Sequence, residues 1–290
     1  MRHQTRHGLT AVVLSAAFAA ALAGCSAQGS EAPANQTTGS GSAHAEELDM
    51  APLKASEPAA EALAAQPGTL AAPAKSELAA LLDRHEVRSI RLIGDSLTAG
   101  YGCDGYDDYA TTDRIAYDGP EGTYRETPGN VECWANEFRR FAESRGVTDF
   151  VNAGVSGSKM WWLARSPESW LGEGADAVVV MLGTNDAVYS SPEQFEADSE
   201  SALSAVAARC RCLVVMSPPA NERTDATNLY GLDVIDERLR GVCERNGWCF
   251  VSLLGALDQR AGDLNDDRCH PTTQGSRKMW EAMCETLGIG

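Results

Sequence analysis

Hydrophobic and polar positions change rhythm along the chain. Positions 9–23 form one largely apolar run, positions 26–72 contain no aromatic residue, and from about position 75 short apolar runs alternate with stretches of helical spacing. The short runs are Ser89–Ile93, Phe150–Asn152, Ala177–Leu182, Cys212–Met216 and Cys249–Leu253. Helical patterns begin with SELAALLDRH after Lys75 and recur near 131–145, 159–171, 192–209, 229–246 and 273–287. A run such as AVVVML is apolar at every position, which suits a strand covered on both faces in a parallel sheet. Strand and helix in strict alternation predict a three-layer α/β/α sandwich around a central parallel sheet of about five strands. No internal repeat is visible.

The segments upstream of this alternation are of another kind. Arg2 and Arg6 precede the apolar run, which is too short to span a bilayer comfortably and ends in Leu22-Ala23-Gly24-Cys25. This resembles a bacterial lipoprotein signal over residues 1–24, with Cys25 as the lipidated first residue of the mature chain. Residues 25–72, rich in Ala, Pro, Gly, Ser and Glu, read as a flexible tether. The folded domain is expected over 73–290, lipid-anchored on the extracytoplasmic face of a bacterial membrane and monomeric.

Export changes how the remaining cysteines read. Besides Cys25 there are eight, Cys103, Cys133, Cys210, Cys212, Cys243, Cys249, Cys269 and Cys284. In an oxidising compartment disulfides are the expectation, and the 105 possible connectivities stay open apart from one suggestion, Cys103 with Cys133. The spacing of Cys210 and Cys212 is not that of a zinc site. Net charge is −17, and −19 once the two cations Arg2 and Arg6 leave with the signal, so nucleic acid is excluded as a natural ligand.

Ligands of parallel sheets bind at the carboxyl ends of the strands, so chemistry is sought there. The first run ends in Gly94-Asp95-Ser96, the second in Asn152-Ala153-Gly154-Val155-Ser156-Gly157 and the third in Gly183-Thr184-Asn185-Asp186; Asp267-Arg268-Cys269-His270 precedes the last helix. These clusters hold a hydroxyl, an amide, glycine-flanked N–H groups, a carboxylate and an imidazole, the groups a serine esterase needs. Their order and content resemble the SGNH, or GDSL, hydrolase family from about residue 86 to the end. The resemblance implies a flavodoxin-like sheet, Ser96 as nucleophile, Asp267 and His270 as its partners, and an oxyanion hole from Ser96, Gly157 and Asn185. It calls for no metal or cofactor.

Residue chemistry points the same way. Of five histidines, His3 and His7 lie in the signal, His44 in the tether and His85 before the first strand, which leaves His270 as the base. Asp267, three residues earlier, can reach its Nδ1 within one turn. Asp266 stands as an alternative orienting group, and Gly154 as an alternative to Gly157. Asp95 and Asp186 read as structural hydrogen-bonding groups that hold their loops.

Residues 101–132 form a long stretch beside the nucleophile that holds Tyr101, Tyr106, Tyr109, Tyr117 and Tyr124. Tyr101, Tyr106 and Tyr109 are substrate-side candidates, since tyrosine suits stacking on sugar rings; self-packing of the loop is the alternative. Trp161 either lines the same cleft or, with Trp162, buries a helix. The expectation is a serine ester hydrolase that removes short acyl groups, with carbohydrate as the favoured alcohol. An envelope O-acyltransferase with the same triad, a lysophospholipase or thioesterase, and a non-catalytic glycan-binding lipoprotein are the alternatives.

Overall fold

The five apolar runs pair side by side, all in parallel, into one sheet. A computed structural model describes residues 75–290; the signal, Cys25 and the tether lie outside the described residues. The described residues open with α1 (Glu77–Asp83), β1 (Ser89–Gly94) and a single-turn α2 (Ser96–Ala99). A hairpin of β2 (Ile115–Gly119) and β3 (Gly122–Arg125) follows, then α3 (Trp134–Ser144) and β4 (Asp149–Gly154). Next come α4 (Met160–Arg165), α5 (Pro167–Leu171), β5 (Ala175–Met181), α6 (Asp186–Tyr189) and α7 (Pro192–Ala207). The domain ends with β6 (Cys210–Ser217), α8 (Leu232–Asn246), β7 (Cys249–Ser252) and α9 (Thr273–Leu287).

Strand order in the sheet is β4-β1-β5-β6-β7. From β1 the chain steps outward to β4 and then returns to the other side of β1 at β5. The direction of winding therefore reverses beside the carboxyl end of β1, the place where open α/β sheets leave a crevice. That crevice opens at Ser96.

Both faces of the sheet are covered, as the uninterrupted apolar runs predict. In β5, Ala177, Val179 and Met181 join the core on the side of α1, α3 and α9, while Val178 and Val180 join the core formed with α4, α7 and α8. No helix among the described residues is long and apolar enough to cross a membrane.

Two departures from the sequence pattern have local causes. The helix expected over 159–171 is broken at Ser166, because a residue that precedes proline is driven from helical backbone angles; Ser166 has φ −146° and ψ 65°. The long 101–132 stretch is not all loop, since β2 and β3 form a hairpin within it. That hairpin is bolted to the domain. The buried Glu126 carboxylate accepts a bond from the backbone N–H of Asn152 at 2.7 Å and pairs with Arg139, while Tyr117 packs on Trp170 with ring centroids 4.6 Å apart.

The disulfide expectation is corrected here. All eight cysteines of the described residues are free thiols, Cys103 and Cys133 included. Their sulfurs serve packing and weak polar contacts: Cys103 Sγ points at the carbonyl of Pro271, and Cys269 Sγ accepts from the Asn221 amide. Burial pushes the thiols of Cys103 and Cys269 up to about 12, so neither is a thiolate at neutral pH.

Candidate active site

Ser96 is the first residue of α2, directly beyond β1. Asp95 caps this turn by accepting from Leu97 N–H at 3.0 Å, and the turn closes on Gly100 in the left-handed region (φ 87°). The hydroxyl lies 2.8 Å from His270 Nε2, across 174 residues of sequence. The other ring nitrogen, Nδ1, lies 2.8 Å from Asp267 Oδ2. A carboxylate can only accept, so Nδ1 carries the hydrogen and Nε2 presents a lone pair to the serine.

The loop that carries the base is shaped by its own backbone. Arg268, between Asp267 and Cys269, adopts φ 56°, an uncommon value for a residue with a Cβ. This bend lets Asp267 Oδ1 accept from the N–H groups of both Cys269 and His270 at 2.9 Å while Oδ2 holds the ring. Burial opposes charge on Asp267, yet these bonds and the imidazole outweigh it and hold the carboxyl below its usual range. Asp266 is exposed, and the partner of the ring is Asp267.

Three donors expected for an oxyanion come from three segments. Among the described residues, the N–H groups of Ser96 and Gly157 donate to no protein acceptor. Asn185 is buried and spends one amide hydrogen on the carbonyl of Ser158 at 3.0 Å, which leaves the second to give. The rival glycine has another task. A Cβ on Gly154 would lie 2.3 Å from the backbone nitrogen of Ala99, so Gly154 lets α2 sit down on β4; Gly157 has φ 78° and open space around it, where a substrate oxygen can approach.

Asp95 and Asp186 hold the loops, as their positions suggest. Both Asp186 oxygens accept from Met160 N–H, at 3.0 and 3.1 Å, and tie the Gly157 loop to the Asn185 loop. Burial pushes Asp95 up to about 6 and Asp186 up to about 7.

Tyr101, Tyr106 and Tyr109 line one cleft of ≈ 870 Å³ together with Asp267. Tyr101 also packs against His270, the ring centroids 4.4 Å apart and the planes tilted by 51°. Trp161 is not among the residues lining that cleft and instead meets Trp162 edge to face, at 5.9 Å and 76°.

Several supporting residues escape sequence reasoning. Asn265 donates to the carbonyls of Gly102, His270 and Pro271, fastening the base loop to the nucleophile loop. The β6–α8 connection does similar work, with Thr224 N–H bonded to the Asp267 carbonyl at 3.0 Å and Leu229 N–H to that of Ala187 at 2.8 Å. Neither segment carries a residue pattern that announces this. Asn152 does lie in a run already singled out; its amide donates to the Thr98 carbonyl at 2.9 Å and seats α2 on β4.

A hydroxyl bonded to an imidazole, a carboxylate behind that ring and unspent N–H donors at the winding reversal of a parallel sheet are the arrangement of a serine hydrolase. The chain belongs to the GDSL-like lipase/acylhydrolase family, whose sequence profile matches residues 92–278, and it is a carboxylic ester hydrolase. Similar solved structures include LAE5, an α/β hydrolase enzyme from the metagenome of Lake Arreo, Spain, with 24% identity over 69% of this chain and 95% of that one, TM-score 0.52. Axe2, an acetylxylan esterase from Geobacillus stearothermophilus, is 19% identical over 70% of this chain and 95% of its own, TM-score 0.52. At these identities the likeness concerns the fold. No curated protein matches the sequence.

Proposed function

We propose that this protein removes short, acetyl-type acyl groups from carbohydrate through a Ser96 acyl-enzyme. One observation carries the chemistry: the unbroken relay from Ser96 Oγ through His270 to Asp267, with both contacts at 2.8 Å. As Oγ attacks the ester carbonyl, its proton passes to Nε2, and Asp267 steadies the imidazolium. The carbonyl oxygen, now negative, is received by Ser96 N–H, Gly157 N–H and the free Asn185 hydrogen. His270 then protonates the departing alcohol, and water repeats the sequence to release the acid. Support for a short acyl group comes from the cleft beside the triad, whose tyrosines and aspartates offer a long alkyl chain little to bury against. The acetylxylan esterase of similar fold acts on an acylated glycan, as its name states.

A fluorophosphonate probe tests the nucleophile. It is expected to label the protein and to fail on Ser96→Ala, which also loses hydrolysis of p-nitrophenyl acetate; labelling that survives the substitution would refute the assignment. Along a series of p-nitrophenyl esters, kcat/KM should fall from acetate to octanoate. The same proposal places the domain outside the cell on a lipid at Cys25, on the strength of the sequence alone. Cys25→Ala should then move the protein from the membrane fraction to the soluble one.

A further inference from the structure

An acyl substituent in mid-polymer is attached to a ring from which the chain leaves in two directions. An enzyme for such an ester needs room on both sides of its centre. An enzyme for a monomeric ester needs one pocket.

Two clefts of this domain meet at the segment Tyr106–Asp108. The larger, ≈ 870 Å³, is lined by Tyr101, Tyr106 and Tyr109 with Asp107, Asp108 and Asp266, and reaches the triad at Asp267. The smaller, ≈ 440 Å³, is lined by Tyr106, Asp107 and Asp108 as well, so it lies against the same segment. Its other walls are Thr123, Tyr124 and Arg125 of the hairpin, together with Val155 and Ser156 next to the oxyanion glycine. Each cleft is of ligand-binding size. One therefore adjoins the base and the other adjoins the oxyanion loop.

We propose that the two clefts are subsites of one extended site, which binds a neutral O-acylated polysaccharide over several rings with the ester at Ser96. The inference rests on the ester-hydrolase reading and names the kind of alcohol. The linings suit sugar: tyrosine rings pack on the apolar faces of pyranoses, and carboxylates, hydroxyls and a guanidinium bond their hydroxyls. Tyr109 is 94% exposed at the loop tip, with no protein surface to rest on. Carboxylates dominate the larger cleft, so a polyuronate meets like charge there. Because Glu126 and Tyr117 anchor the hairpin, the wall of the smaller cleft is already in place before a ligand arrives.

Calorimetry on Ser96→Ala, in which the catalytic hydroxyl is absent, tests this with O-acetylated xylo- and manno-oligosaccharides of one to six rings. Affinity should tighten at least tenfold between one ring and four. In the same background, Tyr109→Ala and Arg125→Ala should each remove most of that gain, about tenfold, while Tyr109→Phe keeps it. Absent binding, affinity independent of length, a gain untouched by both substitutions, or tighter binding of acetylated oligogalacturonides would overturn the proposal. Turnover of p-nitrophenyl acetate by the unaltered protein, measured alongside, separates the two failures. Turnover without a length effect removes the extended site alone, and a length effect without turnover removes the esterase reading alone.

Discussion

A serine hydroxyl stays protonated at neutral pH, so its reactivity depends on where its proton can go. In the mechanism proposed here it goes to a ring whose tautomer is set from behind by Asp267. That task belongs to one of two adjacent aspartates, and the backbone decides which. Arg268 in the left-handed region folds Asp267 under the imidazole, whereas Asp266 faces out. Asp267→Asn should lower kcat on p-nitrophenyl acetate by about 10³- to 10⁴-fold, because an amide in place of the carboxylate no longer favours the productive tautomer. Asp266→Asn should change it less than about threefold. Comparable losses for the two variants would contradict the assignment. The histidine that reaches Ser96 was readable because only one histidine sits beyond a strand end. The choice between the aspartates was not, since spacing alone admits both.

At the scale of elements, the site depends on how closely α2 lies on β1 and β4. Gly94 and Gly154 provide that closeness: a Cβ on Gly94 would fall 2.0 Å from Thr98 Oγ1, and one on Gly154 would run into the backbone of α2. Gly154→Ala is therefore expected to destabilise the domain by about 1–3 kcal/mol, as overpacking does. A lowered urea midpoint at unchanged m-value would show it, and an unchanged midpoint would rule it out. Gly157→Ala meets no such wall, although its φ of 78° strains any residue with a side chain. In sequence the two glycines look interchangeable. What separates them is the neighbour each one faces, which comes from another part of the chain. The hairpin is the converse case: Ile115–Tyr117 and Thr123–Tyr124 flank Pro120-Glu121-Gly122, a legible turn, but the segment is short and its anchor Glu126 reaches across to β4.

At the scale of the whole molecule, two of the buried carboxyls among the described residues, Asp95 and Asp186, belong to the loops that hold Ser96 and Asn185. Burial raises Asp95 to about 6 and Asp186 to about 7, from the ordinary aspartate value of 3.8. Such groups take up protons on folding, so the stability they contribute is complete below pH 3.8 and is lost as pH rises through 6 and 7. Carboxyls held low, Asp267 and Asp263 among them, act oppositely and only in acid. The melting temperature should accordingly fall between pH 5.5 and pH 8, and Asp186→Asn, which has no proton to lose, should flatten that fall. Equal slopes for the two proteins would show that Asp186 is not the source.

Sequence by itself determined the layers and the chemical inventory of this protein. Runs apolar on both faces, alternating with helical patterns, suit a covered parallel sheet, and a sheet of that kind exposes its loops at one edge, where Ser96, Gly157, Asn185, Asp267 and His270 were found. Tertiary structure alone decided which groups touch. The bonds from Asn265 to three carbonyls, the tilted packing of Tyr101 against His270, and the two clefts about Tyr106 all join residues from separate segments. Contacts of this kind depend on how whole elements pack, and the order of residues within any one segment does not contain them.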